Sequence, residues 1–166
     1  MLQLKHLRYL SEMTDTPFSE IKPVTFGYLI GWSSVTTYTL ASCFVPDNSA
    51  LIVLRTQSFL FNALDSANDF QFYRTVPTGK AWWYLGRDTS NSLQEWTNMN
   101  APAQLTLDSD ALLLFPANKY ANLAFLPDAA APTGTWKIRT TVYGYLVPAR
   151  VTEQFGGPQQ FVNVQQ

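Results

Sequence analysis

Three stretches of this chain repeat one short phrase: an apolar residue and a proline, a turn residue, then an aliphatic or aromatic run. They are Val45-Pro46-Asp47-Asn48-Ser49 ahead of Ala50 to Leu54, Val76-Pro77-Thr78-Gly79-Lys80 ahead of Ala81 to Leu85, and Phe115-Pro116-Ala117-Asn118-Lys119 ahead of Tyr120 to Leu126. Ala131-Pro132-Thr133-Gly134-Thr135 before Trp136 is a looser fourth copy. Proline presets the first central turn position, and Gly or Asn two residues later tolerates a positive φ, so each phrase reads as strand, tight turn, strand. A chain punctuated in this way is a β protein built from turns.

The strands expected between these turns are Val24 to Trp32, Val35 to Phe44, Ala50 to Phe61, Phe70 to Val76, Ala81 to Leu85, Gln104 to Leu107, Ala111 to Phe115, Tyr120 to Leu126 and Trp136 to Val147. The clearest alternation sets Trp136, Ile138, Thr140 and Val142 against Lys137, Arg139, Thr141 and Tyr143, a half-buried strand with one polar face, which Gly144 bends or bulges. Leu51-Ile52-Val53-Leu54 is apolar on both faces and belongs between packed layers or under a subunit contact. Two stretches read differently. Asn62 to Asp69 fits one helical turn, and in the polar connection Arg87 to Pro102 the spacing of Leu93 and Trp96 fits a short helix pinning the loop to the core. Short strands, many turns and long excursions point to an all-β antiparallel sandwich of jelly-roll type, with an immunoglobulin-like sandwich as the alternative.

The ends differ from the middle. Residues 1–22 read as an N-terminal arm, 23–151 as the sandwich domain and 152–166 as a C-terminal tail. Over Leu2 to Met13 a short helix would place Lys5, Arg8 and Glu12 on a narrow polar stripe, with an Arg8–Glu12 pair, and Leu2, Leu4, Leu7, Tyr9 and Leu10 on a wide apolar arc that needs a partner surface. Asp15-Thr16-Pro17 ends it, and Phe18 to Pro23 is an extended connector. In the tail, Gly156-Gly157-Pro158 argues against regular structure, while Phe155 and Phe161 offer anchors. Either arm docks on its own domain or reaches a neighbour.

With 166 residues, one domain with its own core is expected. Charged residues make up only 14% against 46% apolar, where about 25% charged is usual, so part of the exterior is expected to be covered by something else. A net charge of −1 and the lack of a basic stripe give no electrostatic case for nucleic acid. The single Cys43 excludes an internal disulfide framework and a cysteine zinc site. Lys5, His6 and Arg8 interrupt the leucines of the N-terminus, so neither a signal peptide nor a transmembrane segment is expected, and synthesis in a cytoplasm is.

Catalysis fails on inventory. The only histidine, His6, lies in the arm, which leaves neither a histidine-rich metal site nor a base for a serine or cysteine nucleophile. Asp108 and Asp110, with Glu95 or Asp88 across a cleft, could serve glycoside cleavage, but Asp-Ser-Asp before an apolar run is also ordinary turn chemistry. No cofactor and no enzymatic activity are expected. The remaining constellation is aromatic: Trp82, Trp83, Tyr84 and Trp96. Alternation sends Trp82 and Tyr84 one way and Trp83 the other, as sugar-stacking rings or as core and interface bulk.

Tyr38-Thr39-Leu40, Val45-Pro46-Asp47-Asn48 to Leu54, Phe115-Pro116-Ala117-Asn118 and Val142-Tyr143-Gly144-Tyr145-Leu146-Val147-Pro148 together resemble small single jelly-roll virion proteins of bacteriophages, the vertex (penton) and decoration types, over about Val24 to Pro148. The resemblance is one of pattern and carries over no functional residue. It implies a structural virion protein assembling as a homo-oligomeric ring, such as a vertex pentamer, beside major capsid or spike proteins. Leu2, Leu4, Leu7, Tyr9, Leu10, Phe155 and Phe161 are then candidate assembly contacts. The alternative is a carbohydrate-binding module, or a receptor-binding spike domain, using Trp82, Trp83, Tyr84 and Trp96.

Overall fold

The computed structural model describes residues 4–63, 70–71, 79–85, 92–97, 104–131 and 133–154, with side chains for 7–59, 79–85, 113–131 and 133–154. Helix α1 (Leu4–Thr14) and a 3-10 turn (Phe18–Glu20) lead into β1 (Lys22–Phe26), β2 (Leu29–Trp32), β3 (Tyr38–Phe44), β4 (Ser49–Ala63), β5 (Phe70–Gln71), β6 (Gly79–Leu85), β7 (Ser92–Thr97), β8 (Gln104–Phe115), β9 (Tyr120–Pro127) and β10 (Trp136–Pro148), followed by α2 (Arg150–Gln154).

The pairing is nested. β1 and β2 pair with β10, β3 with β9, β4 with β8 and β6 with β7, all antiparallel. Successive pairs fall alternately in two sheets, and β10–β4 and β9–β6 contacts join them laterally. One sheet therefore runs β1/β2–β10–β4–β8, with β5 on the far end of β4, and the other β3–β9–β6–β7. A long antiparallel hairpin rolled up in this way is a jelly roll.

Two copies of the proline phrase make one corner of the roll. Val45 to Asn48 carries the chain from β3 to β4, Pro116 to Lys119 returns it from β8 to β9, and the two lie side by side. The Val45 N–H donates to the Lys119 carbonyl and the Asn118 N–H to the Val45 carbonyl, both at 2.9 Å, and the Asn118 amide meets the Asp47 carboxylate. Asn118 takes the positive φ (60°) expected of its place, whereas Asn48 does not, because the Ser49 N–H closes its turn on Pro46. Residues 76–78 and Pro132 of the other two copies lie outside the described residues.

Between the sheets, Leu40, Leu51, Val53, Trp83, Phe115, Leu123, Phe125, Trp136, Ile138 and Val142 form the main core. Trp83 packs on Phe115 at 5.3 Å and edge-on to Phe26 at 6.4 Å. The inward alternation of β10 is as expected from its sequence, except that Thr140 meets Ser58 across the sheet in a buried 2.8 Å hydroxyl pair. The register shifts between Tyr143 and Gly144, where an added Cβ would lie 2.5 Å from the Ile52 carbonyl oxygen.

Several local expectations are corrected. The strand expected over Val24 to Trp32 is two, broken at Gly27-Tyr28, because Tyr28 turns aside to bond Leu40 of β3 and Thr140 of β10 instead of continuing the ladder. Leu93 and Trp96 lie in strand β7, not in a helix, since β6 offers an edge to pair with. Gln104 to Phe115 is a single strand, although its ladder with β4 jumps from Asp108 to Leu113 opposite Leu54, so the expected Asp108–Asp110 turn appears as an irregularity within β8. Asn62 and Ala63 extend β4, and residues 64–69 lie outside the described residues. The connector after α1 holds a 3-10 turn, and the tail opens with the short helix α2.

Candidate functional site

Assembly surfaces depend on which apolar groups the fold leaves uncovered, and the arm decides much of that. Helix α1 ends in a Schellman motif: Asp15 takes φ 48° and the Thr16 N–H donates to the Ser11 carbonyl at 3.1 Å. Thr14 Oγ1 donates to the Leu10 carbonyl at 2.7 Å and Ser11 Oγ to the Thr16 carbonyl at 2.6 Å. The helix is thereby laid across the outer face of the first sheet, where Leu10 is buried with Ile21, Ile52, Leu114, Tyr145, Val147 and Val151, and Leu7 and Met13 pack at its margin. Arg150 ties the end of the arm down, donating to the Asp15 carbonyl (3.3 Å) and Thr16 Oγ1 (3.5 Å) and facing Glu20 at 3.6 Å. The described part of the arm therefore covers its own sheet. This explains why Leu51 to Leu54 is apolar on both faces: Leu51 and Val53 face the main core, and Ile52 and Leu54 face the arm cluster.

Among the sequence candidates for assembly, Leu10 has no exposed surface, Leu7 is half-buried against the sheet, and Tyr9 points outward at 58% exposure. Leu4 opens α1, but its side chain, like Leu2, Phe155 and Phe161, lies outside what is described. The expected Arg8–Glu12 pair forms at 3.2 Å on the exposed side of the helix.

The aromatic candidates alternate across β6 as expected. Trp83 is in the main core, while Trp82 and Tyr84 lie on the outer side of the second sheet with Ala124 and Leu126. Both outer rings are nonetheless more than nine-tenths buried, and the Lys80 ammonium stands 5.9 Å above the Trp82 ring. None of these three rings is presented for sugar stacking. Trp96 pairs with Ala81 in register, and its side chain is not described.

The exposed large apolar groups lie elsewhere and were missed by the sequence reading. Tyr28 and Leu29 (46% and 55% exposed) stand at the break between β1 and β2 and Val35 (55%) on the loop after β2, all along the flank formed by the β1/β2 edge of the first sheet, while Phe18 (51%) is exposed on the 3-10 turn. Phe44 and Tyr120, both exposed, pack with tilted rings 5.1 Å apart beside the proline corner. Gly27 was the available signal for the flank, since a glycine inside an apolar run marks a bulge or break.

The hydroxyl of Tyr38, beside the flank, accepts from the Ser33 and Ser34 N–H groups at 3.2 and 3.1 Å and donates to the Ser34 carbonyl at 3.1 Å. Burial raises its pKa, but the combined hydrogen bonds from Ser33 and Ser34 outweigh that and bring it down to about 8. Burial alone pushes up the Cys43 thiol and the Tyr145 phenol. Among the described residues no group of three His, Cys, Asp or Glu side chains is arranged to hold a metal. Asp108 and Asp110 lie in β8, outside the described side chains.

No protein-family model matches the sequence, and no curated protein matches it as a relative. Among solved structures, the chain is similar to one of the infectious bursal disease virus Gt strain, at 13% identity and TM-score 0.38, over 84% of this chain and 35% of that one. It is also similar to T=1 particles derived from infectious bursal virus, at 14% identity and TM-score 0.38, over 85% of this chain and 33% of that one. The chain thus spans about a third of the length of the solved chains it matches, and neither is a bacteriophage vertex protein.

Proposed function

We propose that this chain is a non-enzymatic structural subunit of a virus particle, a jelly-roll block that packs side by side with copies of itself into a closed ring, as at a bacteriophage capsid vertex, next to major capsid or spike proteins. The observation that carries this reading is the apolar flank of Tyr28, Leu29 and Val35. The described arm covers only the half of the outer face around Ile52, Leu114, Tyr145 and Val147, so the exposure of this flank, which no described part of the arm covers, suits a further partner. Head-to-tail packing around an axis uses two unlike patches per subunit and suits a flank of this kind. Jelly rolls also serve lectins and cupins. Burial of Trp82, Trp83 and Tyr84 removes support from sugar stacking on those rings, and a single histidine in the arm removes it from a cupin-like metal site.

The reading is tested by quantitative mass spectrometry of purified particles from cells producing the chain. A fixed, small copy number per particle is expected, with cross-links joining the Tyr28–Val35 flank to a second copy or a shell protein. A chain found only outside particles overturns it.

A further inference from the structure

The outer face of the first sheet has two halves. Helix α1 covers the rows containing Tyr145, Val147, Ile52 and Leu114. Among the described residues the rows beyond the bulge lie outside that cover and are bare of it, and three of the chain's eleven cations, Arg55, Lys137 and Arg139, gather there. In register, Tyr143 lies beside Arg55, Thr141 beside Gln57, Arg139 beside Phe59, and Lys137 beside Phe61, with Thr25 flanking Tyr143 and Leu29 flanking Arg139 on the edge strands. Arg55 and Arg139 are exposed, while Tyr143, Gln57 and Phe59 are half-buried, as a ring or amide lying on a sheet must be.

The pattern on the two central strands is an arginine beside an aromatic ring, a polar row, then the same pair with the strands exchanged. The Arg55 guanidinium stands 6.0 Å from the centre of the Tyr143 ring. Rows two residues apart lie about 6.7 Å from one another, so the two arginine rows are about 13 Å apart. Arg55, Lys137 and Arg139 carry no ion pair among the described residues, and the one acidic residue at a register position in these rows is Asp108, next to Arg55.

We propose that this bare half-sheet binds single-stranded nucleic acid, the phosphates on Arg55, Arg139 and Lys137 and the bases on Tyr143 and Phe59. The complementarity is of both charge and shape. A sheet face that interleaves cations with half-buried rings matches a flexible polyanion carrying flat bases, whereas an acidic peptide has no use for the rings. The overall charge of −1 conceals the patch because, Asp108 apart, the acidic residues with described side chains lie elsewhere: Glu12, Asp15, Glu20, Asp47, Asp128 and Glu153 are all outside these rows. The inference does not depend on the particle reading and stands or falls by itself.

The test is fluorescence anisotropy of a labelled oligothymidylate of 20 nucleotides with the full chain. Binding is expected at 50 mM salt, weakening about 18-fold by 200 mM if three cations contact phosphates, from a slope near −0.7 per contact. Arg55→Glu/Arg139→Glu should weaken it at least tenfold. Lys22→Glu/Lys119→Glu, which changes the net charge equally on other surfaces, should leave it within about twofold. Tyr143→Ser should weaken binding at least fivefold, with Tyr143→Phe restoring it, and circular dichroism checks that each variant is folded. No binding at 50 mM salt, or equal losses in the two charge-reversed pairs, overturns the proposal. Equal binding of polyglutamate, insensitive to Tyr143→Ser, overturns the nucleic-acid assignment in favour of an acidic protein segment.

Discussion

Gly27 is where the flank is made, and replacing it gives a worked test of the fold. Its φ is 150°, which L side chains rarely adopt, and an added Cβ would sit 2.0 Å from the Thr140 carbonyl oxygen and 2.7 Å from its carbon. Both are backbone atoms of the central strand β10, so no flexible side chain can yield. Relief requires the break to move, and with it the bonds from the Tyr28 N–H to the Leu40 carbonyl and from the Thr140 N–H to the Tyr28 carbonyl, each 2.9 Å. Backbone strain of about 1–3 kcal/mol, together with about 1–3 kcal/mol for a buried backbone group left unpaired, puts the cost of Gly27→Ala near 4 kcal/mol. With a urea m value of about 2 kcal/mol per M, the midpoint should fall by about 2 M, read by tryptophan fluorescence. Gly31 is the internal control: nothing lies closer than 4.0 Å to its added Cβ, so Gly31→Ala should be neutral or stabilise by up to about 1 kcal/mol. Equal midpoints for the two variants would refute the described approach of β10 to Gly27.

Other expectations follow from the same contacts. Leu10→Ala should cost about 3 kcal/mol and expose the Tyr145 and Val147 amides to hydrogen exchange, because Leu10 is fully buried on the sheet; unchanged protection would mean that the arm docks elsewhere. Ser58→Ala should cost about 1–3 kcal/mol by stranding the Thr140 hydroxyl, while Ser58→Ala/Thr140→Val should recover most of it in thermal melts. Tyr38 has a depressed folded-state pKa near 8, so its contribution is present above the unfolded value of 10 and lost as pH falls through 8. Stability should therefore rise between pH 8 and 9 in urea titrations, below the range where the raised Cys43 and Tyr145 groups act in the opposite sense, and Tyr38→Phe should abolish the rise.

How far the fold was legible depended on whether a signal was local. The turn phrases, the alternation of β10 and the bulge at Gly144 are written in neighbouring residues, and the jelly roll follows from them. Leu51 to Leu54 announced two covered faces without saying that one cover is α1, which is information held 40 residues away in sequence. Leu93 and Trp96 have helical spacing, yet a strand edge on β6 outweighed it, as tertiary pairing outweighs weak local preference. The surfaces were the least legible. Trp82 and Tyr84 are outward by alternation and still buried, whereas Tyr28 and Leu29, inside an apolar run, are exposed because Gly27 lets the chain turn aside. Likewise Arg55, Lys137 and Arg139, separated by 82 residues or more from one strand to the other, become neighbours only when β4 pairs with β10.

The central claim, that the Tyr28–Val35 flank joins copies of this chain, is tested most directly by sedimentation velocity of the purified full chain beside Leu29→Asp. A discrete ring-sized species in the wild type, dissociating to folded monomer in the variant, is the predicted result. A strictly monomeric wild type at every concentration, or an oligomer indifferent to Leu29→Asp, would contradict it.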